Sequence, residues 1–227
     1  MEVTYFGLNS VRLRGRDAAV LIDPYEPKMG LAPVRLTVQI VIRTHDDPTH
    51  FSFQGLGSDF HQVTGAGEFE IKGVAMKGIQ TYHDAKQGAQ LGKNFVYVVD
   101  IDELTVCHLG HLGHELNEAQ LEAIGSKVDI LFVPVGGGSH LNSAQATEIV
   151  NQIEPKYVVP ISYKLPGLTL LAQELEPVDK FAKEMGVTDL TPLAKLSLAG
   201  TPPLDEPKLI LLEARGVATA ATAGAVD

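Results

Sequence analysis

The sequence predicts one layered α/β (α+β) domain, because strand patterns dominate its first half and strands alternate with helices in its second half. Short β-prone runs separated by turn residues fill the first half. The two halves run together without a linker, so both are expected to belong to the same domain. The predicted strands are residues 3–6, 11–14, 19–22, 38–43, 68–71, 74–80, 94–100, 104–108, 128–135, 157–161, 195–199 and 208–213.

Three helices are predicted in the second half from apolar spacing and from capping residues. They cover residues 117–124, 143–153 and 177–185, with Asn117 and Ser143 as the caps of the first two. The expected domain covers residues 1–214. The remaining segment, 215–227, is rich in Ala, Gly and Thr and is expected to be a flexible C-terminal tail.

Composition excludes several classes of function. The formal net charge of −10 and the absence of a Lys/Arg cluster argue against nucleic acid as a partner. No apolar run is long enough to span a membrane, and the N-terminus lacks a signal-peptide pattern, so a cytoplasmic protein is expected. Cys107 is the only cysteine, which excludes a thiolate zinc cluster. A small-molecule ligand is the expected partner, and self-association is left open.

Two histidine clusters follow predicted strands. His45 and His50 lie in the loop Thr-His-Asp-Asp-Pro-Thr-His, where Asp47 would face the same way as His45 in an extended chain. Imidazoles and carboxylates at a strand end favour a metal site, although a polar loop without metal is equally compatible with the spacing. In the second cluster, His111 is the favoured site residue.

The other histidines carry weaker signals. His108 is expected in the strand core and His114 at the start of the following helix. His83 ends a strand and is compatible with either role, whereas His61 and His140 lack sequence neighbours of similar chemistry and are expected at the surface. The Gly136–Gly138 run is not followed by Lys-Ser/Thr, so it is a turn and not a phosphate-binding loop.

The order of these motifs resembles the metallo-β-lactamase-fold hydrolases, in the branch of Zn-dependent hydrolases near the ascorbate-6-phosphate lactonase-like proteins. The resemblance extends from Val3 to Met185 and includes VTYFGLNSVRLRG, VLIDPY, IVIRTHDDPTH, GAGEFEI, GIQTYHD, VCHLGHLGHEL, VDILFVPVGGG and IEPKYVVPISYK. It implies a four-layer αβ/βα sandwich with a metal site at the edge of its two sheets. Carried onto this sequence, His45 and His50 match the first and last positions of the family's His-x-His-x-Asp-His motif, and His83 matches its later histidine.

Other positions depart from the family pattern. Asp47 and Thr49 replace the second His and the Asp of the motif, His111 replaces a metal-bridging Asp, and Ser162 replaces the final His. Leu8 stands where relatives often have a histidine. Without the bridging carboxylate, the resemblance implies at most one divalent metal.

The resulting expectation is one cation bound by His45, Asp47 and His83, with zinc favoured over manganese or iron. His50 and His111 would complete the metal site or carry protons during catalysis. The first functional hypothesis is therefore a metal-dependent hydrolase with an altered, mononuclear site. The second is a catalytically inactive member of the fold that acts as a binding protein, with or without metal.

Overall fold

The computed structural model describes residues 1–45, 51–169, 174–200 and 206–217, and confirms a layered fold of two sheets with few helices. The strands are β1 (Glu2–Gly7), β2 (Ser10–Arg14), β3 (Ala19–Ile22), β4 (Ile40–Arg43), β5 (His61–Thr64), β6 (Gly67–Ile71), β7 (Val74–Tyr82), β8 (Lys93–Ile101), β9 (Leu104–His108), β10 (Ile130–Pro134), β11 (Tyr157–Ile161), β12 (Leu196–Ser197) and β13 (Lys208–Leu209). The helices are α1 (Glu118–Ile124), α2 (Ser143–Ile153) and α3 (Val178–Glu184).

The described strands form two sheets. The first has the order β12-β1-β2-β3-β4-β5, and the second has the order β13-β11-β10-β9-β8-β7-β6. Helix α1 contacts β7, α2 contacts β10, and α3 packs on α2, so the three helices cover the second sheet. On the outer side of the first sheet, a 3-10 helix at Pro27–Met29 packs together with loop residues.

Consecutive apolar residues allow a strand of the first sheet to pack on both of its faces. In β3, Val20 and Ile22 belong to the main hydrophobic core that joins the two sheets. Leu21 lies between them in sequence and belongs to a second cluster with Met29 and Leu175. Successive side chains of a strand point to opposite faces. A short run of consecutive apolar residues therefore predicts a strand that is covered on both sides.

The strands that precede the polar loops share one direction within each sheet. In the first sheet β3 and β4 are parallel, and β1 has the same direction because β2 is antiparallel to both β1 and β3. In the second sheet β9, β10 and β11 are parallel, and β7 shares their direction through the antiparallel β8. The carboxyl ends of these strands lie at one edge of each sheet, which is where open α/β sheets bind ligands.

The helix starts differ slightly from those predicted. Asn117 caps α1 as expected, but the cap of α2 is Asn142, whose side chain accepts a hydrogen bond from the Gln145 amide. The prediction that His114 caps a helix is wrong. Its Nε2 accepts the amide hydrogen of Tyr82 at 3.0 Å, so the ring ties the end of β7 to the loop after β9. None of the described helices is long and apolar enough to span a membrane.

The C-terminal segment is packed beyond the predicted domain boundary at residue 214. The amides of Arg215 and Gly216 donate to the carbonyl oxygens of Tyr5 and Phe6, at 3.1 and 2.8 Å. A side chain at Gly216 would collide with the Tyr25 hydroxyl and the Phe6 carbonyl. Residues 215–217 therefore belong to the packed domain. The rest of the predicted tail, 218–227, lies outside the described residues.

Candidate metal centre

Loops at the strand ends bring one carboxyl group and four imidazoles to a pocket between the edges of the two sheets. Asp23 and His45 follow β3 and β4 of the first sheet, whereas His83, His111 and His140 follow β7, β9 and β10 of the second. Asp23, His45 and His83 are buried, and the other two are partly buried. The apolar part of the wall includes Tyr25, Met29, Phe51 and Leu175.

His45 is positioned by its neighbour Thr44. The Asp23 carboxylate accepts hydrogen bonds from the Thr44 amide at 2.8 Å and from its hydroxyl at 2.6 Å. The Thr44 carbonyl accepts the Phe95 amide at 2.6 Å, which joins the end of the first sheet to the second sheet. Burial raises the pKa of Asp23 to about 7, although both Thr44 hydrogen bonds oppose the shift. Asp23 therefore fixes the backbone that presents His45.

His111 is fixed by Asn94, a fully buried residue at the start of β8. The Asn94 Oδ1 accepts the His111 amide at 2.8 Å, and its Nδ2 donates to the Leu109 carbonyl at 2.9 Å. Gly110 lies between them with φ 61°, and a side chain there would approach Asn94 Oδ1 and Thr44 to within 2.7 Å. Only glycine fits this turn, and its close packing sets the direction of His111.

His83 is held by backbone contacts on both of its sides. Its amide donates to the Gly92 carbonyl at 3.1 Å. A side chain at Gly113 would lie 2.3 Å from the His83 carbonyl, so the loop after β9 passes directly over this residue. The next residue, Asp84, accepts four backbone amides from the loop that follows, and these bonds, led by that of Leu91, lower its pKa. These bonds fix the loop around Asp84, and the adjacent His83 is therefore held at the pocket.

The imidazoles lie close together. The ring centroid of His111 is 3.9 Å from that of His45, 4.9 Å from that of His83 and 5.1 Å from that of His140. Among the described residues, two groups place their ligand atoms within 4.8 Å of one another: His83, His111 and His140, and Asp23, His45 and His111. His111 belongs to both groups, which makes it the centre of the site.

The structure thus brings together three of the predicted site residues, His45, His83 and His111. Asp47 and His50, the other two, lie outside the described residues. The roles of all five as metal ligands, and of His50 and His111 in catalysis, stay predictions.

His140 and Asp23 were not predicted as site residues. The expectation that His140 lies at the surface is wrong, because its Nε2 is 3.0 Å from His111 Nδ1. His140 lies in the loop after β10 that begins with the glycine run, and this position at a strand end could have identified it as a site residue. Asp23 carried the same signal, since it directly follows β3. Strand-end position identifies both residues better than their spacing from other histidines does.

Ser162 and Leu8 both stand where the family resemblance implies a histidine, and the two residues are joined by a hydrogen bond. The Ser162 hydroxyl donates to Asn9 Oδ1, and the Ser162 amide donates to the Leu8 carbonyl at 2.9 Å. Both Ser162 and Leu8 have positive φ, of 50° and 53°. The ends of β11 and β1 are therefore hydrogen-bonded to each other at the pocket, and positions 8 and 162 place an aliphatic side chain and a hydroxyl there instead of imidazoles.

Comparison with known proteins assigns the family. The sequence profile of the β-lactamase superfamily domain matches residues 2–162. The chain belongs to the metallo-β-lactamase superfamily. It is 24% identical to a UPF0173 metal-dependent hydrolase of Lysinibacillus sphaericus, over 72% of this chain and 85% of the relative. A similar relative from Staphylococcus aureus strain JH9 is also 24% identical, over 72% of this chain and 86% of its own length.

A solved structure supports the same assignment. A Thermotoga maritima protein assigned to the Zn-dependent hydrolases of the metallo-β-lactamase superfamily is 29% identical, with a TM-score of 0.77 over 93% of this chain and 97% of that chain. The predicted fold is therefore confirmed.

The donor set of the pocket fits a divalent transition metal of the kind that this superfamily implies. Neutral imidazoles bind zinc at about 2.0–2.1 Å, so two of them on one ion have nitrogens roughly 3.3 Å apart. His111 Nδ1 and His140 Nε2 are separated by 3.0 Å, and His83 supplies a further nitrogen within 4.8 Å.

His108 has a structural role behind the pocket, as expected from the sequence. It is fully buried, its Nδ1 accepts the Gly110 amide at 3.0 Å, and its Nε2 therefore donates to the Asn9 carbonyl at 3.0 Å. Burial lowers the pKa of His108 to about 4, and the hydrogen bond to Asn9 opposes this shift only in part. The neutral ring links β9 to the loop after β1.

We expect this buried ring to make the metal-free protein acid-sensitive. The unfolded state binds the proton below about pH 6.5 and the folded state only below about pH 4, so stability falls as pH falls through this window, by up to about 3 kcal/mol. His108→Gln should be less stable at pH 8 but should lose less stability between pH 6.5 and 4, as measured by urea unfolding. His61→Gln, on the exposed edge of β5, is the matched control. If the free energy of unfolding fell with pH at the same rate in His108→Gln and in the wild type, the acid sensitivity could not be assigned to His108.

Proposed function

We propose that this protein is a metal-dependent hydrolase that holds a single divalent cation, zinc by preference, among the imidazoles of the pocket. The observation that carries the proposal is the convergence of His45, His83 and His111 from separate strands at the sheet edges. When bound, such a cation supplies Lewis acidity towards a carbonyl or phosphoryl oxygen and activates water. The 29% identical structure assigned to the Zn-dependent hydrolases supports the proposal of a metal-dependent hydrolase.

A single cation is favoured because the two ligand groups share His111. A neutral imidazole binds one metal through one nitrogen, so filling one group removes His111 from the other. The only carboxylate in either group, Asp23, belongs to just one of them. Within the described residues, no carboxylate is therefore shared between the two groups in the way that a bridge between two cations requires.

The remaining pocket residues would bind and orient the substrate. Tyr25, Met29, Phe51 and Leu175 form an apolar wall that excludes water and suits the uncharged part of a small molecule. Asn9 is buried and also lines the pocket, and its Nδ2 has no hydrogen-bond partner among the described residues. Its carbonyl and its Oδ1 are held by His108 and Ser162, so we assign Asn9 as a fixed donor to a substrate oxygen.

The proposal is tested by metal content and by hydrolysis. Protein purified without added metal should contain close to one zinc per chain. It should hydrolyse at least one substrate of a panel of nitrophenyl esters, lactones and bis-nitrophenyl phosphate. A chelator should abolish the activity, because the Lewis acid is removed, and Zn²⁺ should restore it. Hydrolysis that survives complete metal removal would contradict the proposal.

The second candidate is a catalytically inactive binding protein of the same fold. It is favoured by Ser162, whose hydroxyl is directed to Asn9 at the position where the family resemblance implies a ligating histidine. Metal-loaded protein that cleaves nothing in the panel, but is stabilised against heat by product-like carboxylates or phosphates, would support this candidate.

A further inference from the structure

We infer that His140 is a metal ligand and that His83, His111 and His140 together hold the cation. His140 lies outside the ligand set that the family resemblance implies, so this would be a locally rebuilt metal site. The inference rests on the proposed function, because it names the residues through which the pocket binds its metal.

The first support is the geometry of the three rings. His111 Nδ1 and His140 Nε2 share a hydrogen bond of 3.0 Å, and a cation that replaced the shared proton would find these nitrogens close to the separation of two ligands on one zinc ion. The ring centroid of His83 lies 4.9 Å from that of His111 and 5.5 Å from that of His140, and the three ligand atoms lie within 4.8 Å of one another. Three neutral imidazoles leave a fourth position for water or substrate, as in catalytic zinc sites.

The second support is that the competing group is already engaged. Asp23 accepts the amide and the hydroxyl of Thr44 through separate oxygens. These bonds hold the end of β4, so moving the carboxylate towards a cation would disturb the backbone that carries His45. The three-histidine group does not include Asp23, so a cation held there would leave the Thr44 contacts in place.

The third support is the way the chain presents His140. Gly137 and Gly138 have φ of 66° and 64°, and the His140 amide donates to the Gly137 carbonyl at 3.0 Å, closing a tight turn. Asn142 then caps α2, which fixes the other side of the turn. Because β10 lies between β9 and β11, this turn places His140 beside His111, next to the strand end where Ser162 offers only a hydroxyl.

The test compares Zn²⁺ affinity and Co²⁺ absorption spectra of full-length variants. His140→Ala should lower Zn²⁺ affinity at least about tenfold, measured by competition with a chromophoric chelator, and should change the visible absorption of the Co²⁺ protein because one nitrogen ligand is lost. His45→Ala, which removes a pocket imidazole outside the three-histidine group, should lower Zn²⁺ affinity less than His140→Ala does and should change the Co²⁺ bands less. His61→Ala, which removes an exposed imidazole, is the control for histidine loss in general.

The outcomes separate this inference from the proposed function. Equal affinity and equal spectra for His140→Ala and the wild type would overturn the assignment of His140 while leaving a metal-dependent hydrolase intact. A loss of affinity in His45→Ala but not in His140→Ala would overturn it in the same way. A wild-type protein that binds neither Zn²⁺ nor Co²⁺ would refute both. Thermal melting of each metal-free variant verifies folding, and His140→Gln replaces His140→Ala if the alanine variant is unfolded.

Discussion

Replacing His111 with alanine is expected to lower the affinity of this protein for Zn²⁺ by more than about 100-fold. His111 is the one residue common to both candidate ligand groups, and its ring lies within 5.1 Å of three other imidazoles, measured between centroids. Removing it leaves at most two described donors in either group. Because changes to residues that merely support metal ligands typically cost 10- to 100-fold in metal affinity, loss of a central ligand should exceed that range.

The measurement is Zn²⁺ competition with a chelator, with hydrolysis of the best panel substrate as a second readout. The backbone of His111 is held by Asn94 through its amide, so the alanine variant should keep the turn. His61→Ala is again the control. Unchanged Zn²⁺ affinity in His111→Ala would show that the cation lies elsewhere and would contradict the central position of this residue.

Much of the fold could be predicted because apolar burial dictates the strand pattern. Strands β9 and β11 have the predicted bounds, and both consist mainly of buried apolar residues. Strand β5 was missed because Val63 is its only buried residue, so the edge strand has no apolar alternation. The predicted cap of α2, Ser143, is one residue away from the observed cap, Asn142. Both are good capping residues, and only the backbone conformation decides between them.

The site was predictable in part, for a different physical reason. Strand-end motifs indicated that His45, His83 and His111 would converge, because parallel strands bring their carboxyl ends to a common edge. His140 was missed since its proximity to His111 depends on the turn closed by the Gly137 carbonyl, a contact that sequence spacing does not encode. Asp23 was missed because its role depends on hydrogen bonds to Thr44, which comes from a neighbouring strand.

Restoring two family residues together, in His111→Asp/Ser162→His, is expected to raise the metal content from one ion per chain towards two. Two dications about 4 Å apart repel each other by roughly 17 kcal/mol at an effective dielectric of about 20. The neutral imidazole of His111 does nothing to offset this repulsion, whereas a bridging carboxylate lies between the charges and attracts both. Histidine at position 162 adds a nitrogen donor where the present hydroxyl is directed to Asn9.

The backbone should accept the second substitution, because Ser162 has a φ of 50° and histidine is among the residues that tolerate this region better than branched side chains do. Metal content is measured by elemental analysis after equilibration with excess Zn²⁺ and gel filtration, and hydrolysis of bis-nitrophenyl phosphate and of a lactone is followed in parallel. The single variants His111→Asp and Ser162→His are the controls, and each should stay near one ion, since the first lacks the added imidazole and the second lacks the bridging charge. Two fully occupied ions in the unmodified protein would contradict the mononuclear site, because they would show that a bridging carboxylate at position 111 is not needed to hold two cations here.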